Sequence, residues 1–150
     1  MTPLKIGVLA LRMSPWALAL PILKRIVSLR RLAQMMRQEG RGPRDRANER
    51  RIVAVSSALS RLRPPRFQAN CLERSLLAYR FLTGANADVR IVVGVRTASG
   101  RLFGHAWVTV DGEPVHEPSA ALSGFSRVVE FGSDGTASRA GDWRLPDVWV

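Results

Sequence analysis

Three residues are the only ones of their kind in this chain: the thiol of Cys71 and the imidazoles of His105 and His116. A thiol becomes a nucleophile when a base within hydrogen-bond reach takes its proton and a third group orients that base. Cys71 follows Asn70, a good N-cap, and opens a helical pattern in which Glu73 is placed to answer the cap as in a capping box. The first helical turn offers free N–H groups and the positive end of the dipole, which favour a thiolate. Position alone also allows the ordinary role of a free cysteine, that of a small buried apolar residue.

The two histidines are the candidate bases. His105 begins the run His-Ala-Trp-Val-Thr-Val, where strand alternation sets His105, Trp107 and Thr109 on one face and Ala106, Val108 and Val110 on the other. Glu117, on the following segment, is the candidate acceptor that fixes the imidazole tautomer. Register decides whether it can reach. With Asp111-Gly112 as a two-residue turn, Glu117 lies across from Ala106 and points away from His105. With Val110-Asp111-Gly112 as a three-residue loop and Gly112 left-handed in a G1 bulge, Glu117 lies across from His105, and a dyad is built.

The elements that must hold these residues follow from hydrophobic period and turn chemistry. Residues 22–36 read as one amphipathic helix and 52–62 as a second, separated by the polar turn GRGPRDR and stopped by Arg63-Pro64-Pro65. Residues 70–82 form a third helix, ended by Thr83-Gly84. Strands are expected over 89–97, 102–110, 114–117 and 126–131, with hairpin turns at Ala98-Ser99-Gly100 and Asp111-Gly112, and 132–141 is expected as a loop. Helices followed by an antiparallel sheet make an α+β fold.

A length of 150 residues fits one domain, and 46% hydrophobic with 23% charged residues are globular values that exclude a wholly disordered, collagenous or membrane-embedded chain. The net charge of +11 is segregated. Residues 1–66 hold 15 Lys or Arg against Glu39, Asp45 and Glu49, a net +12, whereas 67–150 hold 8 against 9, a net −1. Lys5, Arg12, Lys24 and Arg25 interrupt the early apolar runs and Pro15 and Pro21 break helical continuity, so neither a spanning helix nor a signal peptide is expected. A lone cysteine excludes an internal disulfide and suits a reducing cytoplasm.

The segments CLERSLLAYRFL, RIVVGVR and GHAWVTVDGEPVHEP, in that order and spacing, resemble the leader-peptidase domain of lasso-peptide biosynthesis proteins, within the transglutaminase-like cysteine-protease superfamily. The resemblance covers about residues 64–131. It implies a papain-like layout with Cys71 as nucleophile, His105 as base and Glu117 as the acid, where the family usually has Asp. An oxyanion hole is expected to include the backbone N–H of Cys71, with Gln68 or Asn70 as side-chain candidates. Residues 64–150 are then the protease core, and 1–63 a basic helical region packed onto it or serving as a docking surface. Lacking a strand-rich recognition domain in residues 1–63, the chain resembles the stand-alone protease half of a split system. That implies a precursor peptide as substrate, a separate leader-recognition protein and an ATP-dependent cyclase as partners, and no cofactor.

Other chemistries compete for the same residues. The same thioester could pass its acyl group to an amine, as other transglutaminase-like proteins do. The basic first part could attract nucleic acid, but no zinc-finger spacing, RNP-like strand or aromatic interleaving accompanies it, so none is expected as a partner. Cys71, His105 and His116 are too scattered to suggest a zinc site, so no metal is expected. No serine sits in a G-x-S-x-G elbow, and no glycine loop cradles phosphate.

Overall fold

The computed structural model describes residues 3–62 and 70–139. Its elements run α1 (Pro3–Ile26), α2 (Leu29–Met36), α3 (Arg46–Arg61), α4 (Cys71–Gly84), β1 (Val89–Ala98), β2 (Arg101–Val110), β3 (Glu113–Pro114), α5 (Ser119–Leu122), β4 (Ser126–Phe131) and β5 (Ala137–Arg139). The strands form one antiparallel sheet in the order β3-β2-β1-β4-β5. This is the α+β class that the order of periodic segments predicts.

α4 is the central element. Nine of its 14 residues are buried, including Leu76, Leu77, Tyr79 and Leu82. Helix α1 contributes Met13 and Leu20, α2 Leu32 and Met36, and α3 Ile52 to the same core, which continues into Val89, Ile91, Val108 and Val129 of the sheet. Polar contacts fasten this jacket: Lys24 pairs with Glu73 at 2.5 Å, the Arg80 guanidinium lies 3.7 Å from the Trp16 ring centre, and the Gln38 N–H donates to Thr83 Oγ1. On the opposite sheet face, Val92, Trp107 and Leu122 make a smaller cluster joined by Phe125. The helices of the basic first part thus share one core with α4 and the sheet.

Several boundaries differ from the sequence expectations for physical reasons. Pro15 and Pro21 lie inside α1 without ending it. The residues whose carbonyls lose an N–H partner to these prolines are Leu11, which is exposed, and Ala17, which is half-buried. Uninterrupted, α1 has 24 residues and a mean hydropathy of 1.6 over its most apolar window. By length and composition alone it is long and apolar enough to cross a membrane, contrary to the expectation that no such segment exists. The single helix expected over 22–36 is two, divided at Val27 and Ser28, where Ser28 takes an extended backbone. α3 begins at Arg46, six residues early, because Asp45 accepts a hydrogen bond from the Ala47 N–H and starts the helix ahead of its apolar stripe. The Arg63-Pro64-Pro65 stop, Gln68, Trp143 and Trp149 lie outside the described residues.

Gly94 is required by a close approach. It pairs with His105 across β1 and β2, and a Cβ there would stand 2.8 Å from Trp107 Cη2 and 2.9 Å from the Ser126 carbonyl oxygen. The ring lies over the glycine and fills the space beside the histidine. Gly94→Ala is therefore expected to destabilise the fold by about 1–3 kcal/mol, read as a lower urea midpoint with an unchanged slope.

Candidate active site

Asn70 caps α4: its Oδ1 accepts from the Glu73 N–H at 2.9 Å, which sets Cys71 as the first helical residue. The thiol is half-buried. One turn further on, Ser75 Oγ donates to the carbonyl of Ala106 at 3.1 Å, so the start of α4 lies beside the strand position next to His105. A cleft of about 500 Å³ is lined by Lys24, Arg25, Ile26, Val27 and Ser28 at the end of α1, by Leu29 and Leu32 of α2, and by Leu72, the residue after Cys71.

The hairpin between β2 and β3 is the two-residue form. Thr109 pairs with Pro114 and Val110 with Glu113, and Asp111 and Gly112 take positive φ of 51° and 85°, as a type I′ turn requires. The three-residue G1-bulge register that the dyad called for is therefore incorrect, and so is a strand reaching Glu117. His105 and Glu117 nevertheless meet: Nε2 of His105 lies 3.5 Å from Oε1 of Glu117. Pairing stops at Pro114, and residues 115–117 bend away from the strand path, with Val115 still donating to the Val108 carbonyl. Leaving the ladder frees Glu117 from strand alternation and lets its carboxylate return to the histidine.

Arg74, which the sequence reading did not single out, reaches the same carboxylate. Its Nη2 pairs with Oε1 of Glu117, the oxygen that faces His105. The signal was present in the spacing, since Arg74 follows Cys71 by three residues and such positions share a helix face. His105 is flanked by aromatic rings, with Trp107 stacked at 6.0 Å and Phe125 at 5.3 Å between centroids. Among the described residues no hydrogen bond joins the Cys71 thiol to His105. Catalytic hydrogen bonds are often loose without substrate. Of the oxyanion candidates, Asn70 is exposed and occupied as a cap through Oδ1, and Gln68 lies outside the described residues.

His116 is drawn elsewhere. Its Nε2 lies 3.0 Å from Ser56 Oγ on α3. Burial, assisted by the Arg74 cation, lowers its pKa from 6.5 to about 4, so the ring is neutral at pH 7. No group of three His, Cys, Asp or Glu side chains suited to a metal is gathered among the described residues.

A family model described as the transglutaminase-like superfamily matches residues 10–130, from α1 through β4. The chain belongs to the transglutaminase-like superfamily. Its members are typically cysteine-based enzymes, peptidases and acyl transferases among them. No curated protein and no solved structure matches the chain. The superfamily match takes in the N-terminal helices that the resemblance over 64–131 omitted, in keeping with the core those helices share with α4.

The depressed pKa of His116 has a signed consequence for stability. Between pH 6.5 and about 4 the unfolded chain binds a proton at this position and the folded chain does not. The stabilisation is present above pH 6.5 and is lost as pH falls through that window, by up to about 3 kcal/mol. Thermal unfolding from pH 7 to 4 is expected to show a falling midpoint, and His116→Gln a shallower fall over the same range.

Proposed function

We propose that this protein is a cysteine peptidase that removes the leader from a lasso-type precursor peptide in the cytoplasm. The observation that carries the reading is the His105–Glu117 contact beside the helix that Cys71 opens. Glu117 holds Nε2 of His105 and supports the imidazolium, which leaves Nδ1 to take the thiol proton. The thiolate then adds to the scissile carbonyl carbon, and the oxyanion is met by the free backbone N–H of Cys71 at the helix start. Collapse breaks the C–N bond, His105 returns the proton to the departing amine of the core peptide, and a leader thioester remains on Cys71. Water, deprotonated by His105, hydrolyses that thioester to a leader carboxylate and restores the thiol.

Arg74 is a positioning residue in this scheme. It tethers Glu117 after the chain has left the ladder, so the carboxylate stays at the imidazole without a strand to hold it. The cleft lined by Leu72 suits an extended peptide segment, since it combines apolar walls with the Lys24 and Arg25 cations. A separate protein that grips the leader and a cyclase that consumes the freed core amine complete the scheme as partners. The resemblance in the segments that carry Cys71, His105 and Glu117 favours this substrate class over others open to the superfamily.

The test mixes purified protein with a synthetic precursor, with and without the neighbouring recognition protein, and reads the products by mass spectrometry. One cleavage giving a free leader carboxylate is expected, whereas a new amide on the leader would assign acyl transfer instead. Cys71→Ala is expected to abolish turnover. Glu117→Gln is expected to lower kcat by about 100-fold or more, because the imidazole loses its orienting charge. Arg74→Met is expected to reduce kcat about tenfold or more with little change in KM, partly recovered by Arg74→Lys. Full activity in Cys71→Ala would end the proposal.

A further inference from the structure

α1 is apolar on every side, yet only one side is packed. Met13 and Leu20 are fully buried against the core, and Trp16 sits under Arg80. The opposite side carries Leu4, Val8, Leu11, Leu18, Ile22 and Ile26, which range from 52 to 76% exposed. With Pro15 completing the row they recur every three or four residues and so share one face, about 33 Å long. A helix apolar all round is ordinarily enclosed by protein or by lipid, and a continuous exposed row of this length marks an interaction surface.

Charge identifies the partner. Lys5, Arg12, Arg25, Arg30 and Arg31 are exposed and Arg51 is half-buried, and none of the six has a carboxylate partner among the described residues. Lys5, Arg12 and Arg51 surround a cleft of about 290 Å³ whose apolar wall is Leu4, Val8 and Leu9. A second copy of this chain would press one such set of cations against another. An anionic lipid offers acyl chain to the row and phosphate to the cations beside it.

We propose that α1 seats the protein on an anionic bilayer surface, lying in the interface plane with the row from Leu4 to Ile26 immersed and the flanking cations at the headgroup phosphates. The helix lies on the bilayer and does not span it. Spanning would strip Met13, Leu20 and Trp16 from the core and separate Lys24 from the nearly buried Glu73. The surface shares Arg25 and Ile26 with the cleft lined by Leu72 but contains none of Cys71, His105 and Glu117, and it does not depend on the reaction assigned there.

The test is flotation of the full chain with phosphatidylcholine vesicles, alone or mixed with phosphatidylglycerol. Binding to the mixed vesicles is expected to be about tenfold stronger or more, and to fall in molar salt. The double variant Leu18→Gln, Ile22→Gln is expected to lose about tenfold or more of that binding with its thermal midpoint unchanged, because both side chains are exposed. Binding absent from both vesicle types, equal on both, or undiminished in the variant overturns the proposal. So does a dimer in sedimentation without lipid that the same variant dissociates, or protein that resists alkaline carbonate extraction from the vesicles as a spanning helix would.

Discussion

One carboxylate joins the two halves of this site. Oε1 of Glu117 faces Nε2 of His105 on the sheet and Nη2 of Arg74 on the cysteine-bearing helix. Without Arg74, the segment after β3 would present Glu117 from a stretch that has left the hydrogen-bond ladder, where nothing in strand geometry fixes its direction. With it, the position of the imidazole's partner is tied to α4, the element that also carries Cys71. Sheet and helix cannot drift apart without breaking a charge-assisted contact that is mostly shielded from solvent. The second oxygen of Glu117 and Nε of Arg74 are buried without hydrogen-bond partners among the described residues. Such incompletely satisfied polar atoms are rare in cores, and those of Arg74 and Glu117 belong to the pair that holds the imidazole.

That contact in turn depends on how α4 is held. A helix that buries Glu73, Ser75 and Thr83 among its apolar residues needs partners for its polar groups as well as its hydrocarbon. The N-terminal helices supply both: Lys24 for Glu73, the Gln38 N–H for Thr83, and Met13, Leu20 and Met36 for the apolar surface. Arg44 adds a tie between α3 and the β2–β3 turn, since it bonds both Glu49 and Asp111. The two cations at Asp111, Arg44 first and then Arg46, hold its carboxyl down to about 2, so this clamp on the turn stays charged through the neutral and mildly acid range. The basic character of the first part is thus partly structural, and the cations left over include Lys5, Arg12 and Arg51 beside the exposed row of α1.

Sequence patterns made the antiparallel strands and α4 legible because each signal was local. Alternation over 89–97 and 102–110, positive-φ residues at Ser99-Gly100 and Asp111-Gly112, and Asn70 as a cap all act within a few residues. β5 went unread because three residues, Ala137–Arg139, carry no alternation and are strand only by pairing with β4. α1 was misread because proline was weighed only by its cost inside a helix, whereas Leu11 and Ala17, four residues before the two prolines, are not buried. Cys71 and His105 could be singled out by residue type, since the chain has one cysteine and two histidines, whereas Glu117, one of 12 acidic residues, could be singled out only by its place after the hairpin. The contact between His105 and Glu117 was reached from the wrong register, because no local signal says where a strand stops pairing. Arg74 escaped notice for a related reason: its role exists only once Glu117 has turned back toward α4.

The end of β3 also bears on which carboxylate can serve at position 117. In the two-residue hairpin, continued pairing would set residue 117 opposite Ala106 with its side chain on the wrong face, and neither carboxylate length could reach the imidazole. Val115 still donates to the Val108 carbonyl, and the chain bends through residues 115–117. The additional methylene of glutamate adds about 1.5 Å of reach toward the imidazole. Length alone would leave a flexible side chain with several rotamers open to it, and fixing one has an entropic cost. The Arg74 guanidinium offsets that cost by selecting the rotamer that also faces His105. The short strand and the helix-borne cation thus act together on the one carboxylate that meets His105.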